Sequence, residues 1–246
     1  MLKIIWNEIL IRPIFNLLFI FTYYTNSLGL SIILLTILIK LLLFPVNIPS
    51  IKMASKKSLL DKDLSKLKKK YKNNKTLLSK KQMELYKKHG INPASGCLPN
   101  ILQILVLIAL YRVFIGILNN SSTDTLFYFS FLKDISFSTK FLLWDLAKPD
   151  STYILPVASA GVQFITSKLM LPTVNKSEKI AKKTETTQDD MMVSMQKNMI
   201  YTAPLMTLII GAKLPSGLIL YWFISSLFSF FQSYYLKKYV YAKKST

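Results

Sequence analysis

The chain has 246 residues, 51% of them apolar, and a formal net charge of +20. Soluble domains of this size rarely join such hydrophobicity to such charge. Here the two are segregated, with apolar runs of membrane length alternating with lysine-rich stretches, as in a polytopic membrane protein. Cys97 is the one cysteine and His89 the one histidine, which excludes an internal disulfide and a His/Cys metal cluster, and no Ser-His-Asp triad stands out.

Residues 1–26 carry Lys3, Glu8, Arg12 and Pro13, then the apolar segment Ile14–Tyr24. Eleven residues are too few to span a bilayer, which needs about 20. The expectation is an amphipathic helix lying in the interface, anchored by Trp6, Tyr23 and Tyr24. The first span is expected over 27–50, and Lys40 is its one charge. A lysine that deep costs on the order of 3 kcal/mol unless it reaches water or a partner. Two readings fit Lys40: a side chain snorkelling to the nearer surface, or one facing a wet cavity inside a bundle.

After Pro49 the composition changes. Residues 51–93 hold fourteen lysines against Asp61, Asp63 and Glu84. Leu60, Leu64, Leu67 and Tyr71 recur at helical spacing, and Leu78, Gln82, Leu85 and Tyr86 do so more weakly. With a turn at Asn73-Asn74, this reads as a cytoplasmic helical hairpin near anionic lipid head groups, worth about 1 kcal/mol per lysine close to the surface. The second span is expected over 97–118, with Asn100 and Gln103 three apart on one face. An extracytoplasmic loop follows over 119–151, where Trp144, like Tyr153 just beyond it, suits an interface. The third span covers 152–171 and the polar loop 172–194, with its TETTQDD run, follows. The fourth span, 195–213, contains Pro204; the fifth covers 215–236, and a basic tail runs over 237–246.

Charge sets the orientation. The hairpin, the second loop with its flank to residue 197, and the tail hold 23 lysines, whereas the opposite-side segments hold six lysines or arginines. The positive-inside rule makes the basic side cytoplasmic, with the N-terminus outside and the C-terminus inside. The fold class expected is all-α: a bundle of five transmembrane helices with an N-terminal interfacial helix and a cytoplasmic helical hairpin.

Polar residues gather on single faces of these spans. Trp222, Ser225, Ser226, Ser229, Gln232 and Ser233 fall within roughly a third of the fifth helix's circumference. Gln163 and Ser167 are four apart in the third. Each face alone suits helix pairing through hydrogen bonds; three polar faces plus Lys40 favour a shared hydrated groove. Met195, Met199 and Met206 supply adaptable apolar contact or fill gaps in or near the fourth span.

Four stretches carry a resemblance: TILIKLLLFPVN, LYKKHGINPASGCLPNILQILVLIALYRVF, FLLWDLAKPDSTYILPV and KLPSGLILYWFISSLFSFFQ. In this order, from about Trp6 to Lys238, the chain resembles the YidC/Oxa/Alb family of membrane protein insertases. The resemblance implies a five-span bacterial cell-membrane core that inserts newly made membrane proteins and helps them fold. Its groove opens to cytoplasm and lipid and closes on the outer side. The resemblance places Lys40 there, where the family usually has arginine, to attract acidic substrate segments. Asn100, Gln103, Gln163, Ser167, Trp222, Ser225, Ser226, Ser229 and Gln232 would line the groove, and Met195, Met199 and Met206 would meet apolar segments. No cofactor is implied and no enzymatic activity. Implied partners are nascent membrane proteins, the ribosome, the Sec translocon and anionic lipids. No specific nucleic acid is expected, because the lysine runs lack arginine and interleaved aromatics. The rival reading is a small-solute transporter or channel, which would share the buried charge but often carries internal repeats; none is visible here.

Overall fold

The computed structural model describes residues 6–71, 74–90, 98–118, 126–133, 135, 137–170, 200–236 and 238. The fold is mostly helical. In chain order it has α1 (Arg12–Thr25, preceded by a π-type turn Asn7–Ile11), α2 (Leu28–Leu42), α3 (Phe44–Lys70), α4 (Lys75–Lys88) and α5 (Leu98–Leu118). A short antiparallel hairpin follows, β1 (Lys140–Phe141) paired with β2 (Trp144–Asp145). Then come α6 (Ile154–Met170), a helix α7 over 200–211, and α8 (Ser216–Tyr235).

The first apolar stretch does not form one uninterrupted helix to Pro49. It breaks at Leu43, whose backbone (φ −84°, ψ −3°) ends α2. A new helix starts at Phe44 and carries Pro49 inside it as far as Lys70. The composition boundary at Pro49 is therefore not a structural boundary. Pro45 lies in the first turn of α3, where no N–H donor is needed, and Pro49 removes one bond, to the carbonyl of Pro45. At about 1.5 Å per residue the 15 residues of α2 measure roughly 22 Å, short of a hydrocarbon core of about 30 Å. Among the described residues, no helix is long and apolar enough to cross a membrane.

The chain divides into two compact units. The first comprises Met1–Phe44, Asn100–Val162 and Leu205–Phe228. Its core is built on α1 and α2. Asn26 adopts a left-handed conformation (φ 52°) that stops α1, and the Ser27 hydroxyl accepts the Leu30 N–H at 3.4 Å to start α2. Ile14, Phe15, Leu18 and Phe19 are spaced to share one face of α1, and all four are buried. Phe127 stands edge-on to Phe15 and Phe19, at 4.8 and 5.0 Å between ring centroids. The segment after α5 thus enters the core, and its Leu132 and Leu146 are fully buried. Ser216 and Gly217, at the start of α8, donate their N–H groups to the carbonyls of Lys148 and Leu146 at 2.7 and 3.0 Å. Those are orphan donors of a helix start, satisfied here by a loop.

The second unit comprises Pro45–Pro99, Gln163–Pro204 and Ser229–Thr246. In it Leu60 and Leu64 of α3 are buried, and Leu85 and Tyr86 of α4 pack against them. Leu78 and Gln82 are buried as well. Six of the eight residues expected to form a stripe are thus buried or packed there, while Leu67 and Tyr71 are half-buried. Asn74 begins α4, its side chain accepting the Leu77 N–H at 3.0 Å; Asn73, the other half of the expected turn, lies outside the described residues. Glu84 pairs with Lys81 at 2.7 Å and Asp63 with Lys66 at 3.5 Å, both at the surface, where such pairs contribute about 0–1 kcal/mol. The His89 ring sits at the end of α4, its Nδ1 2.9 Å from the Leu85 carbonyl.

Candidate functional site

The apolar helices of the first unit hold a cluster of polar side chains that links three of them; a smaller one, in which the Thr22 and Thr25 hydroxyls each lie 3.0 Å from that of Ser31, sits at the α1–α2 turn. Lys40, near the end of α2, is 8% exposed. Its Nζ donates to Gln103 Oε1 of α5 at 2.9 Å. The same oxygen accepts from the Ser225 hydroxyl of α8 at 2.8 Å. The other end of the amide, Gln103 Nε2, donates to the Tyr221 hydroxyl at 2.7 Å. Tyr221 and Ser225 are four apart and so share one face of α8. Gln103 is therefore the hub: one amide ties a lysine to a phenol and a hydroxyl across three helices. One turn before Lys40, Thr36 is fully buried and returns its hydroxyl to the Ile32 carbonyl at 2.5 Å.

Three of the residues expected from sequence, Lys40, Gln103 and Ser225, thus meet directly. Trp222 and Ser226 are half-buried in the first unit. Gln163, Ser167, Ser229 and Gln232 belong to the second unit. There Gln232 is buried and its Oε1 accepts from Asn47 Nδ2 at 3.3 Å, while the other three are half-buried. Met206 is 47% exposed on α7. Met195, Met199 and the side chain of Asn100 lie outside the described residues. Sequence reasoning missed Tyr221 and Asn47. Tyr221 carried a usable signal, because it precedes Ser225 by one helical turn.

The opposite end of the first unit is polar in a different way. Asn16 of α1 is 2% exposed, and its Nδ2 donates to the Arg12 and Leu126 carbonyls at 2.8 and 2.7 Å. Its Oδ1 accepts the Tyr128 N–H at 2.7 Å. Arg12 adds a bond from Nε to the Leu126 carbonyl at 3.3 Å and lies over the Tyr128 ring, 4.7 Å from its centroid. Asp150, 3% exposed, caps the first turn of α6: its two oxygens accept the N–H groups of Thr152 and Leu155, each at 2.8 Å. Burial alone would push the Asp150 carboxyl up. The Thr152 hydroxyl and these two N–H groups outweigh it and hold the group below the usual aspartate value. A hydrogen bond from Thr139, against a smaller cost of desolvation, likewise holds Asp145 low.

Counted along α2 and α8 from their capped starts at about 1.5 Å per residue, the Lys40 cluster lies roughly 8 to 18 Å inside. The arrangement is a buried lysine set among hydroxyl and amide groups, inward of an end where the loop's backbone is hydrogen-bonded to α1 and α8. Such a site can attract and hydrate an anionic segment; it carries no activated nucleophile beside a general base.

Residues 19–244 match the model of the family described as 60Kd inner membrane protein. A membrane protein insertase YidC of Fusobacterium nucleatum is 36% identical over 215 residues, covering 87% of this chain and 88% of that protein. One of Clostridium perfringens is 35% identical over 211 residues, or 84% and 77% of the two chains. One of Maridesulfovibrio salexigens is 32% identical over 233 residues, which cover 95% of this chain but only 39% of that longer protein.

Proposed function

The chain belongs to the 60Kd inner membrane protein family, the YidC/Oxa insertases, and from that premise we propose that it inserts newly made membrane proteins into a bacterial cell membrane and helps them fold. In this reading five helices span the bilayer, the N-terminus lies outside, and the lysine-rich hairpin and tail face the cytoplasm. The hairpin sits near anionic head groups and recruits substrate, and the ribosome and the Sec translocon are the assemblies it works beside.

The observation that carries the mechanism is the Lys40 cluster. A substrate's short acidic segment is drawn into the bundle by Lys40 and exchanges bulk water for the hydroxyl and amide groups of Ser225, Tyr221 and Gln103. Partial entry lowers the cost of carrying polar backbone and carboxylates across the apolar layer. The following apolar segment then slides along the exterior of the helices into lipid, and its transfer supplies the driving free energy. Membrane potential aids the outward movement of negative charge, at about 2.3 kcal/mol per charge per 100 mV. Lysine stands in place of the family's usual arginine, and the mechanism requires the groove to admit enough water to keep it charged. Trp222 and Ser226 extend the hydrophilic lining within the first unit, with Asn100 at the start of α5, and Gln163, Ser167, Ser229 and Gln232 are the further groove residues that the family resemblance implies. Met195, Met199 and Met206 offer the adaptable apolar contact.

The test is insertion of a small single-span protein with an acidic external segment into liposomes holding wild type, Lys40→Arg or Lys40→Gln. Arginine should sustain insertion and glutamine should abolish it. Equal insertion by all three would reduce Lys40 to a snorkelling residue and leave hydration alone as the mechanism.

A further inference from the structure

We propose that the non-cytoplasmic end of this protein carries a lipid anchor. Leu142 and Leu143, at the tip of the β1–β2 hairpin, enter the membrane interface beside the start of α2, with an aromatic row at head-group level alongside. The proposal rests on reading α2 as part of a membrane span.

The tip residues are the first observation. Leu142 and Leu143 are 80% and 78% exposed, more than any other large hydrophobic among the described residues. They form the two-residue turn between β1 and β2. Leu142 holds φ at 51°, in the left-handed region. The first central position of such a turn suits glycine, which takes a positive φ without steric cost. A leucine there, followed by a second exposed leucine, is unfavourable to the turn and to solubility alike. Both make sense where the side chains have an apolar destination.

Position identifies the destination. Phe141 precedes the tip, and its ring occupies the space a β-carbon on Gly29 would fill. Gly29 is the second residue of α2. The hairpin is thus pinned where α2 begins, and its tip stands one and two residues beyond that pin. Leu30, Leu34, Ile37 and Leu41 continue from the same point as an exposed apolar stripe at helical spacing along α2. On the other side of the α1–α2 turn, Tyr24, Tyr23, Phe131 and Phe129 form a row with successive ring centroids 5.3, 5.5 and 5.7 Å apart. All four are about half exposed or more, and buried Leu132 holds their turn in place. Exposed Lys133 and Lys140 lie beside the two features. Aromatics at a span's entry with neighbouring lysines form the composition of a lipid interface, where rings sit at head-group level and ammonium groups meet phosphate. A leucine tip beyond them reaches the upper acyl chains.

The experiment uses the full chain with Cys97→Ser, in lipid nanodiscs. A polarity-sensitive fluorophore is attached at Leu143→Cys, chosen over Leu142 because its backbone is not left-handed, and in a second protein at Ile37→Cys on α2. Quenching is measured with lipids spin-labelled near the head group or near the acyl-chain end, after confirming that both variants melt as wild type does. The expected result is strong quenching at 143 by the shallow label and at 37 by the deep one. If position 37 is quenched and 143 by neither, the tip lies in water or against protein; the anchor is wrong and the span reading stands. If neither is quenched, both fall.

Discussion

Two polar regions of the first unit, the loop end and the Lys40 cluster, differ in what most of their hydrogen bonds are made to. At the end where the loop packs, most bonds involve the backbone: Asn16 bonds two backbone carbonyls and a backbone N–H, Asp150 bonds two backbone N–H groups besides the Thr152 hydroxyl, and Ser216 and Gly217 bond two loop carbonyls, while the hydroxyls of Thr22, Thr25 and Ser31 bond one another. In the interior cluster the bonds linking Lys40, Gln103, Tyr221 and Ser225 run from side chain to side chain. A backbone bond breaks only if chain segments move; a side-chain bond is exchanged by rotating a few χ angles. The first is suited to a seal, the second to a surface that trades its internal partners for water or a substrate. The contrast suits the groove that the family resemblance implies, closed on the outer side and open to exchange within.

The largest expected effect falls on the exchangeable side. Gln103→Leu keeps the volume nearly constant and removes the amide that Lys40, Ser225 and Tyr221 share. Taking a hydrogen bond from a buried charged or hydroxyl group costs about 1–3 kcal/mol, so the melting temperature should fall, and insertion of the acidic single-span substrate should fall tenfold or more at a temperature where the variant is still folded. A large loss of thermal stability with normal insertion would show that this cluster holds the fold together and would reverse the comparison.

Next is the seal itself. Asn16→Leu removes the buried amide that accepts the Tyr128 N–H and donates to the Leu126 carbonyl, at a cost of about 1–2 kcal/mol. Thermal melting in detergent should register it as a clear drop. Gly29→Ala should cost about 1–2 kcal/mol, since the new methyl overlaps the Phe141 ring. Adding Phe141→Leu should recover part of that loss. Additive losses would mean that the ring and the glycine are not in contact.

Legibility in the sequence follows the same division. Lys40, Gln103 and Ser225 stand out because each is polar inside an apolar run, and helical spacing turns each into a face. Tyr221 shares their face but counts among apolar residues, so its hydroxyl went unread. Asn16 was the overlooked signal at the closed end: one amide within the apolar segment Ile14–Tyr24. The loop's Leu132 and Leu146 carry no signal at all, because a short irregular segment has no period against which burial can be counted. The break at Leu43 was equally hidden, since it falls where apolar composition continues on both sides. The hairpin stripe was legible because α3 and α4 bury leucines at regular helical intervals against an otherwise charged surface.

The mildest test of the seal uses pH. Asp150 has a folded pKa below its ordinary value. A carboxyl of this kind stabilises the fold fully above its unfolded pKa, near 4, and the contribution is lost as pH falls through the lower folded value. Between pH 7 and 5 the cap should therefore leave the melting temperature unchanged. Below about pH 4 protonation cancels the charge that accepts from Thr152 and Leu155, and the start of α6 loosens. Asp150→Asn should melt below wild type at pH 7 and lose less on acidification, because an amide has no proton to gain. Other carboxyls, Asp145 among them, add their own acid dependence, so the informative quantity is the difference in slope between the two proteins. Equal slopes would mean that Asp150 holds the loop by shape alone, and that the closed end owes its rigidity to the neutral bonds of Asn16 and the start of α8.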